Sequence, residues 1–410
     1  VMSKIFAFAL GILTAIGGFV DIGDFVTSGL VGARFGLSLV WAIVVGIIGI
    51  CVFAEMSGRV AAISGRGTFD LIRERLGPRL GLANLAASVA ITLLTFAAEM
   101  GGVALALELA TSVNHYLWIP VIGFLLWFIF WRVKFSVLEN AFGLAGLALV
   151  VFVVALWKLD PNWAALWRQV SRPFVPSNEG HATYFYYAIA LFGSAVTPYE
   201  VFFFSSGAVE EDWGAKDLRT MRGNVFIGFP LGGLLSISIA AVTAVVFLPQ
   251  QVQIQALGPV ALPVALALGK VGLALVLLGF FAATFGAACE TGLSVGYSVA
   301  QYFGWQWGKF VQPLRAARFH TVVLLGTVAA VGLLLTTVDP IMLTEYSVVF
   351  SAIALPLTYF PILVVANDRS YMGEYVNGRF ANVLGSIYLV IVVVAAVAAI
   401  PLMIATKAGQ

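Results

Sequence analysis

The chain has 410 residues, of which 61% are hydrophobic and only 10% are charged. A soluble domain carries about 25% charged residues, so this chain lacks the polar residues needed to cover a water-exposed surface. The formal net charge of +2 is too small to indicate a nucleic-acid partner, and Cys51 and Cys289 lack the spacing of a zinc or redox site.

Apolar stretches long enough to cross a bilayer recur along the whole chain. A helix needs about twenty apolar residues to cross ~30 Å of hydrocarbon, and the short alternating segments of a membrane β-barrel are absent. We therefore predict an all-α polytopic membrane protein with a single transmembrane domain over residues 1–410. The predicted helices cover residues 5–33, 36–63, 80–111, 117–131, 137–157, 181–206, 219–248, 262–302, 315–335, 341–365 and 380–404.

Lysine and arginine residues fall mainly on one set of connections between these helices. The connections on the side of Lys4 carry Arg66, Arg73, Arg75, Arg79, Arg132, Lys134, Lys216, Arg219, Arg222, Lys309, Arg315, Arg318, Arg369 and Arg379. The connections at 112–116, 249–261 and 336–340, on the other side, carry no lysine or arginine. Because cytoplasmic loops are enriched in these residues, we predict a multi-pass protein of the cell membrane with its N-terminus in the cytoplasm and its C-terminus outside.

Two of the predicted helices are interrupted. Residues 17–29 read GGFVDIGDFVTSG, and we predict that the helix is broken over residues 21–24, because Gly23 adds backbone freedom and the two aspartates disfavour a helix interior. In the sixth span, Pro198 lies in mid-membrane and frees backbone carbonyls near residues 194–197. Freed backbone groups at this depth are tolerated only where they are buried in protein or line a cavity.

The two breaks occupy corresponding positions if spans one to five and six to ten are two halves of the chain. An odd number of spans inverts the second half relative to the first, and breaks at matching positions of inverted repeats indicate a transport site at the midplane. We predict a first repeat over about residues 1–157, a second over about 181–365, and an extra helix over about 380–404.

The carboxylates of Asp21 and Asp24 require an explanation at this depth. A charged aspartate at the bilayer centre costs about 2.5–3.5 kcal/mol on insertion scales, and a second one adds repulsion. One alternative is that the pair only caps the helix at the break and faces trapped water. The other is a cation site, with oxygen donors at both breaks and no Cys, Met or His within either. Such hard donors suit Mg²⁺, Ca²⁺ and Mn²⁺.

Five segments together match the pattern of one transporter family in type and order. They are DIGDFVTSGLVGARFG in the first span, SGRGTFDLIRERLG in the following connection, FAAEMGG in the third span, SAVTPY in the sixth and NDRSYMGEYVN after the tenth. Through these motifs nearly the whole chain resembles the NRAMP family of divalent-metal transporters (natural resistance-associated macrophage proteins), within the amino acid–polyamine–cation superfamily.

The resemblance implies a LeuT-like 5+5 inverted repeat with unwound helices one and six, plus an eleventh transmembrane helix. It also implies a metal held by the two unwound helices. Carried over position by position, the family's metal-binding aspartate is Asp21, its asparagine is Asp24, its methionine is Thr197, and the alanine whose carbonyl binds metal is Ser194.

Several positions depart from the family pattern. Thr197 replaces the methionine that favours transition metals, and Tyr199 and Phe204 replace histidines associated with proton movement. Phe96 replaces an acidic residue of the third helix, whereas Glu99 is kept. This pattern resembles the family's magnesium-transporting relatives and implies weak or absent proton coupling, although an aspartate at position 24 departs even from those relatives.

Other polar residues of the predicted spans have more than one interpretation. Thr27 and Tyr199 are predicted to surround the metal ligands or to line the pathway. Glu99 and Glu290 either do the same or are protonated, hydrogen-bonded packing groups, and Glu200 is a metal ligand, a pathway residue or the partner of an arginine. Arg315 and Arg318 match family arginines and either form an inner gate or only set the topology. Glu55 and Arg59, four residues apart on one helix, are predicted to form a structural pair.

We predict a secondary transporter of hard divalent cations, Mg²⁺ and/or Mn²⁺, that works by alternating access with weak or no proton coupling. The alternative is a transporter of a small organic cation or amino acid on the same fold, with Asp21 or Asp24 binding an ammonium under Phe25, Tyr199 and Phe202. No nucleotide-binding or metal-hydrolase motif occurs, so we predict no enzyme activity and no cofactor. The predicted partners are the divalent cation and the lipid bilayer.

Overall fold

In a computed structural model, which describes residues 12–13, 15–16, 19–133, 135–309 and 311–409, the chain is almost entirely helical. The α-helices are α1 (Ile22–Phe35), α2 (Val40–Ser64), α3 (Thr68–Leu76), α4 (Pro78–Thr111), α5 (His115–Arg132), α6 (Phe135–Gly146), α7 (Val151–Lys158), α8 (Trp163–Ser171), α9 (His181–Ala195), α10 (Pro198–Glu210), α11 (Leu218–Gly223), α12 (Phe229–Phe247), α13 (Leu257–Phe303), α14 (Ala317–Leu335), α15 (Pro340–Ala366), α16 (Arg369–Met372) and α17 (Arg379–Ala405).

Ten continuous or merged helical segments within the described ranges are long and apolar enough to cross a membrane. They correspond to predicted spans two to eleven, and the largest boundary difference is at span eight, which begins at Leu257 rather than at residue 262. The predicted first span, 5–33, begins outside the described residues, and its second part is α1. The hydropathy pattern therefore located the membrane helices well.

Several features inside or between the spans were not predicted. Span five joins α6 and α7 through a 3₁₀ turn at Leu147–Val150, and span seven joins α11 and α12 through a π-helical turn at Asn224–Gly228. Helix α13 is kinked at Gly269, whose φ of 64° is not helical. The short helices α3, α8 and α16 lie at the ends of the bundle, where they are too short to give a hydropathy signal.

The packing of the helices repeats between the two halves of the chain. Helix α1 of span one packs on α12 of span seven, and α10 of span six packs on α2 of span two. Likewise α4 of span three packs on α15 of span ten, and α13 of span eight packs on α6 and α7 of span five. If each span of the first half is replaced by its counterpart in the second half, the contact of spans one and seven becomes the contact of spans six and two. In the same way, the contact of spans three and ten becomes the contact of spans eight and five. An inverted repeat requires this correspondence.

Close approach of α1 to α12 depends on a glycine. A β-carbon at Gly32 would lie 2.1 Å from the carbonyl oxygen of Ala240 and 2.2 Å from Thr243 Oγ1. Since the first obstacle is backbone, no side-chain rearrangement would make room, and Gly32 allows the two helices to pack in contact.

One hydrophobic cluster of buried residues draws on each of the long helices, so the bundle has a common core. The end of the bundle that holds α3 and the connection from α13 to α14 carries Arg66, Arg73, Arg75, Lys309 and Arg315. We call it the basic end. Helices α10 and α13 both run toward it, whereas α1 runs away from it.

Candidate metal centre at two helix breaks

The break in the first span is shorter than predicted and lies at Val20 and Asp21. Asp21 is the N-cap of α1, with φ −121° and ψ −174°, and its Oδ1 accepts a hydrogen bond from the backbone N–H of Asp24 at 3.0 Å. The expectation that residues 21–24 are all unwound is therefore wrong. A capping carboxylate starts the helix at once, so Asp24 lies in the first turn of α1 rather than in the break.

The break in the sixth span lies where predicted. Helix α9 ends at Ala195 and α10 begins at Pro198, so Val196 and Thr197 are non-helical. Proline is well suited to the first position of a helix because its missing N–H would have no partner there. The predicted fold with interrupted spans one and six is thus confirmed.

The two breaks bring carboxylates and hydroxyls together in the core. Ser194 Oγ on α9 lies 3.4 Å from Asp24 Oδ1 and 3.5 Å from Thr27 Oγ1. The Tyr199 hydroxyl on α10 donates to Asp21 Oδ2 at 3.4 Å. All five side chains are 5% exposed or less. Side chains 170 positions apart in sequence, such as Asp24 and Ser194, therefore share one buried polar site.

Glu99 on α4 also reaches the first break. Its Oε2 accepts a hydrogen bond from the backbone N–H of Ile22 at 3.3 Å, and its side chain is 0% exposed. This bond satisfies one of the N–H groups that the start of α1 leaves without a helical partner. Glu99 therefore lies at the start of α1, next to Asp21, and both interpretations of its role stay predictions.

Among the described residues, no cationic side chain compensates the negative charge of the buried carboxylates. Asp24 Oδ2 and Glu99 Oε1 are buried and accept no well-formed hydrogen bond among the described residues, although the Ser236 hydroxyl lies close to the Asp24 carboxylate. Within the same ranges, Asp21, Asp24, Glu99 and Glu200 form no ion pair with a lysine, arginine or histidine. A buried ionised carboxylate without a partner is costly, so a bound cation or a proton has to compensate it.

The site offers few strong ligands. Among the residues that the structure describes, no three His, Cys, Asp or Glu side chains are grouped so as to hold a metal ion by themselves. Asp21 and Asp24 are two carboxylates, so hydroxyls, backbone carbonyls and water would complete the coordination of an ion. Mg²⁺ is commonly coordinated in this way, because it keeps several water ligands and binds one or two carboxylates.

Thr197 and the remaining acidic residues lie at the edge of this site. Thr197 is 3% exposed, and its Oγ1 donates to Glu200 Oε2 at 3.4 Å. No hydrogen bond joins Thr197 to Asp21 or Asp24 in the described part of the chain, so its role as a ligand stays a prediction. Glu290 on α13 acts electrostatically on both Glu99 and Glu200.

The two arginines predicted as a possible inner gate lie away from the carboxylates. Arg315 and Arg318 are exposed at the basic end, next to the start of α14. The Arg318 guanidinium lies over the ring of Trp305, 5.4 Å from its centroid. Neither arginine forms a hydrogen bond or ion pair with the central acids among the described residues, and their gating role stays a prediction.

Sequence reasoning missed Arg34, near the end of α1 away from the basic end. Its guanidinium pairs with Glu179 through two bonds of 2.8 and 2.9 Å. It also donates to the Tyr187 hydroxyl at 3.2 Å and to the Gly409 carbonyl at 2.7 Å. Arg34 thereby ties α1 to α9, to the connection before α9 and to the segment after α17. The available signal was an arginine just past the end of the predicted first span.

Comparison with known proteins identifies the family. A sequence model described as natural resistance-associated macrophage protein-like matches residues 11–401. The divalent metal cation transporter MntH of Deinococcus radiodurans is 28% identical over 395 residues, which cover 92% of this chain and 85% of that protein. The protein of the same name from Aeromonas hydrophila is 26% identical over 390 residues, covering 92% and 91%.

Solved structures show the same fold. A manganese transporter from Eremococcus coleocola superposes with a TM-score of 0.71 at 20% identity, covering 98% of this chain and 87% of that one. A Na⁺-coupled sialic acid symporter superposes with a TM-score of 0.64 at 13% identity, covering 96% and 89%. Two interrupted helices enclose buried acids in an inverted-repeat bundle, and the family model matches nearly the whole sequence; the chain therefore belongs to the natural resistance-associated macrophage protein (NRAMP) family of membrane transporters.

Proposed function

We propose that this protein is a secondary transporter that moves a hard divalent cation, Mg²⁺ and/or Mn²⁺, across the cell membrane by alternating access. The observation that carries the proposal is the buried acidic site at the two breaks, where Asp24 Oδ2 and Glu99 Oε1 accept no well-formed hydrogen bond among the described residues. The names of its relatives, a divalent metal cation transporter and a manganese transporter, point to the same class of substrate.

The donor atoms favour a hard ion over a soft one. Asp21, Asp24, Ser194 and Thr197 are the proposed ligands, and Thr27, Glu99 and Tyr199 lie around them. All of these side chains present oxygen, which suits Mg²⁺ and Mn²⁺ better than later transition metals. A membrane potential of 100 mV, negative inside, would favour entry of two charges by about 4.6 kcal/mol.

The packing of the aromatic residues argues against an organic cation or an amino acid as the substrate. Two of the three aromatic residues that would cover an ammonium group are held elsewhere. Phe25 is fully buried against Phe280, with ring centroids 4.4 Å apart, and Phe202 packs on Phe69 at 4.3 Å. Only Tyr199 faces the aspartates, through its hydroxyl rather than its ring face.

The orientation of the protein in the membrane is part of the same proposal. The basic end is proposed to face the cytoplasm because it carries the arginine-rich connections. Since α17 runs from Arg379 at that end to Ala405 at the other, the segment after it would lie outside.

Calorimetric binding of Mg²⁺, Mn²⁺, Ca²⁺ and Cd²⁺ to the purified protein tests the proposal. We expect Mg²⁺ and Mn²⁺ to bind and Cd²⁺ to bind more weakly than Mn²⁺, because no sulfur ligand is present at the site. Asp21→Asn should remove the binding, whereas Glu374→Gln, which neutralises an exposed carboxylate, should leave it intact. Tight binding of an amine with no response to any divalent ion would overturn the proposal.

Replacing Thr197 by methionine is expected to change the ion preference. A thioether at this position adds a soft ligand, so Thr197→Met should shift competition toward Cd²⁺ and Mn²⁺ and away from Mg²⁺. The shift is measured as the ratio of inhibitory concentrations of the three ions in proteoliposome uptake. An unchanged ratio would mean that residue 197 does not contact the ion.

Transport is expected to move few protons. Tyr199, in place of a family histidine, does not titrate near neutral pH, and Phe204 packs against Trp213 with ring centroids 5.7 Å apart. A pH-sensitive dye inside the vesicles should therefore report no metal-dependent acidification at zero membrane potential. Stoichiometric acidification would contradict this part of the proposal.

A further inference from the structure

We propose that the end of α7 and helix α8 form a surface that binds anionic phospholipids at the membrane interface, at the end of the bundle away from the basic end. The surface, which we call the tryptophan surface, consists of Trp157, Lys158, Trp163, Trp167, Arg168 and Arg172. None of these residues belongs to the buried site at the two helix breaks, and lipid binding here is a property separate from the proposed transport.

The three tryptophans expose large apolar rings. Trp157 is 78% exposed, Trp163 48% and Trp167 69%. Trp163 and Trp167 lie on α8, which is not one of the ten helical segments described above as long and apolar enough to cross a membrane. Within the described ranges, none of the three indole N–H groups donates a hydrogen bond to another residue. An apolar ring with one polar N–H suits the boundary between lipid and water, where tryptophan is enriched.

The ring contact between Trp157 and Trp163 places α8 at the level where span five ends. Helix α7 ends at Lys158, and Trp157 directly precedes this residue. The centroids of the Trp157 and Trp163 rings are 6.2 Å apart, so the first residue of α8 lies beside the end of the span. Since the end of a membrane helix lies at the headgroup region of the bilayer, α8 begins at that depth.

Helix α8 is held against the bundle by side chains other than its tryptophans. Leu166 is buried in a cluster with Leu37, and Gln169 Oε1 accepts a hydrogen bond from the backbone N–H of Leu37 at 2.9 Å. Leu37 follows α1, which runs away from the basic end, so this contact shows at which end α8 lies. Trp163 and Trp167 are four residues apart and share a second face of α8. Lipid can therefore contact the tryptophans while the first face stays packed on the bundle.

Basic side chains accompany the tryptophans. Lys158, Arg168 and Arg172 are exposed, and none of them forms an ion pair in the part of the chain that the structure describes. Asp160 is the only acidic residue between Lys158 and Arg172, so positive charge exceeds negative charge on this surface. Lysine and arginine near a bilayer attract anionic headgroups, and tryptophan binds at the same depth. The combination fits an anionic phospholipid.

Fluorescence quenching in vesicles measures what the tryptophan surface contacts. Trp167→Cys provides an exposed thiol on this surface, and the matched variant Gln253→Cys provides one in the polar cavity beside Arg34, whereas Cys51 and Cys289 are buried. Bimane is attached to each introduced thiol, and the protein is reconstituted with phosphatidylcholine and phosphatidylglycerol. We expect lipid brominated near the headgroup to quench bimane at residue 167 and aqueous iodide to quench it only weakly. At residue 253, iodide should be the stronger quencher.

Arg168→Gln combined with Arg172→Gln tests the contribution of charge. Brominated phosphatidylglycerol should quench bimane at residue 167 more strongly than brominated phosphatidylcholine does, and the double substitution should abolish this difference. Equal quenching by the two lipids without the double substitution would overturn the preference for anionic lipid.

Two other outcomes would overturn the surface itself. Iodide quenching at residue 167 that equals the quenching at residue 253 would show that α8 faces water. Shielding from both iodide and brominated lipid would show that protein, such as a second copy of this chain, covers the surface. Mn²⁺ binding in detergent is expected to stay at the wild-type level in every variant, so loss of the lipid contact would leave the proposed function standing.

Discussion

Replacing Asp21 by asparagine is expected to abolish divalent-cation transport while the protein remains folded. Asparagine caps a helix as well as aspartate does, so the hydrogen bond to the Asp24 N–H at 3.0 Å can be kept. The negative charge is lost, however, and with it one of the two aspartate ligands. Changes of groups around a metal ligand cost 10–100-fold in affinity, so loss of the ligand itself should cost at least about 100-fold.

Uptake of Mg²⁺ and Mn²⁺ into proteoliposomes measures this loss. Asp21→Ala and Asp24→Ala are expected to show it too, but Asp21→Ala also removes the cap and should be less stable. Glu374→Gln is the control, since this exposed carboxylate lies outside the buried site. Asp21→Asn therefore separates the two interpretations of the aspartates. Wild-type flux in that variant would mean that Asp21 only caps the helix and that the proposed centre is wrong.

Replacing Arg59 by methionine is expected to lower the free energy of unfolding by about 3 kcal/mol. Arg59 and Glu55 are 4% and 8% exposed and pair at 3.0 Å on α2, as predicted from their spacing. Arg59 also donates to Asn377 Oδ1 at 2.6 Å, so it joins α2 to the connection before α17. Breaking a buried pair costs 3–5 kcal/mol. The low end applies because Arg222 still pairs with Glu55 at 3.0 Å.

Unfolding in mixed detergent micelles, followed by circular dichroism, measures this change. Arg66→Met is the matched control, because Arg66 and Glu74 form an exposed pair whose side chains are 38% and 49% accessible. Arg66 lowers the pKa of Glu74 through their hydrogen bond, but an exposed pair adds little stability. Equal effects of the two substitutions would show that the buried network does not contribute as argued. Combining Arg59→Met with Glu55→Met should recover part of the loss, because the buried carboxylate is then removed as well. Arg222, whose side chain is 51% exposed, loses this partner but stays hydrated.

Arg34 joins several segments of the chain at the end of the bundle opposite the basic end. Arg34 follows Asp24 by ten residues, or about 15 Å along α1. Its bonds to Glu179, Tyr187 and Gly409 join segments that lie on the side of the site away from the basic end. A cavity of about 300 Å³ beside Arg34 is lined by Asp339 and Glu345 among others. In the alternating-access cycle that we propose, we expect these bonds to rearrange when the aspartates open toward this side.

Part of the site could be predicted because some of its residues are unusual within their own stretch of sequence. Acids and a mid-membrane proline are conspicuous in apolar spans, so Asp21, Asp24 and Pro198 could be found without any structure. The extent of the first break could not be predicted, since it depends on whether the Asp21 side chain caps α1. The partners of Glu99, Glu200 and Arg34 lie on other helices, and no local pattern encodes the rotation of one helix against another.

The sequence by itself determined the class of the protein, the positions of the ten membrane helices that the structure describes in full and the two interruptions, because hydrophobic length and helix-breaking residues are properties of short segments. Only the tertiary structure decided that Ser194, Tyr199 and Glu99 lie close to the aspartates and to the start of α1. Such contacts depend on the packing of side chains far apart in the chain, for example where Gly32 allows α1 to approach α12 and where Arg59 donates to Asn377.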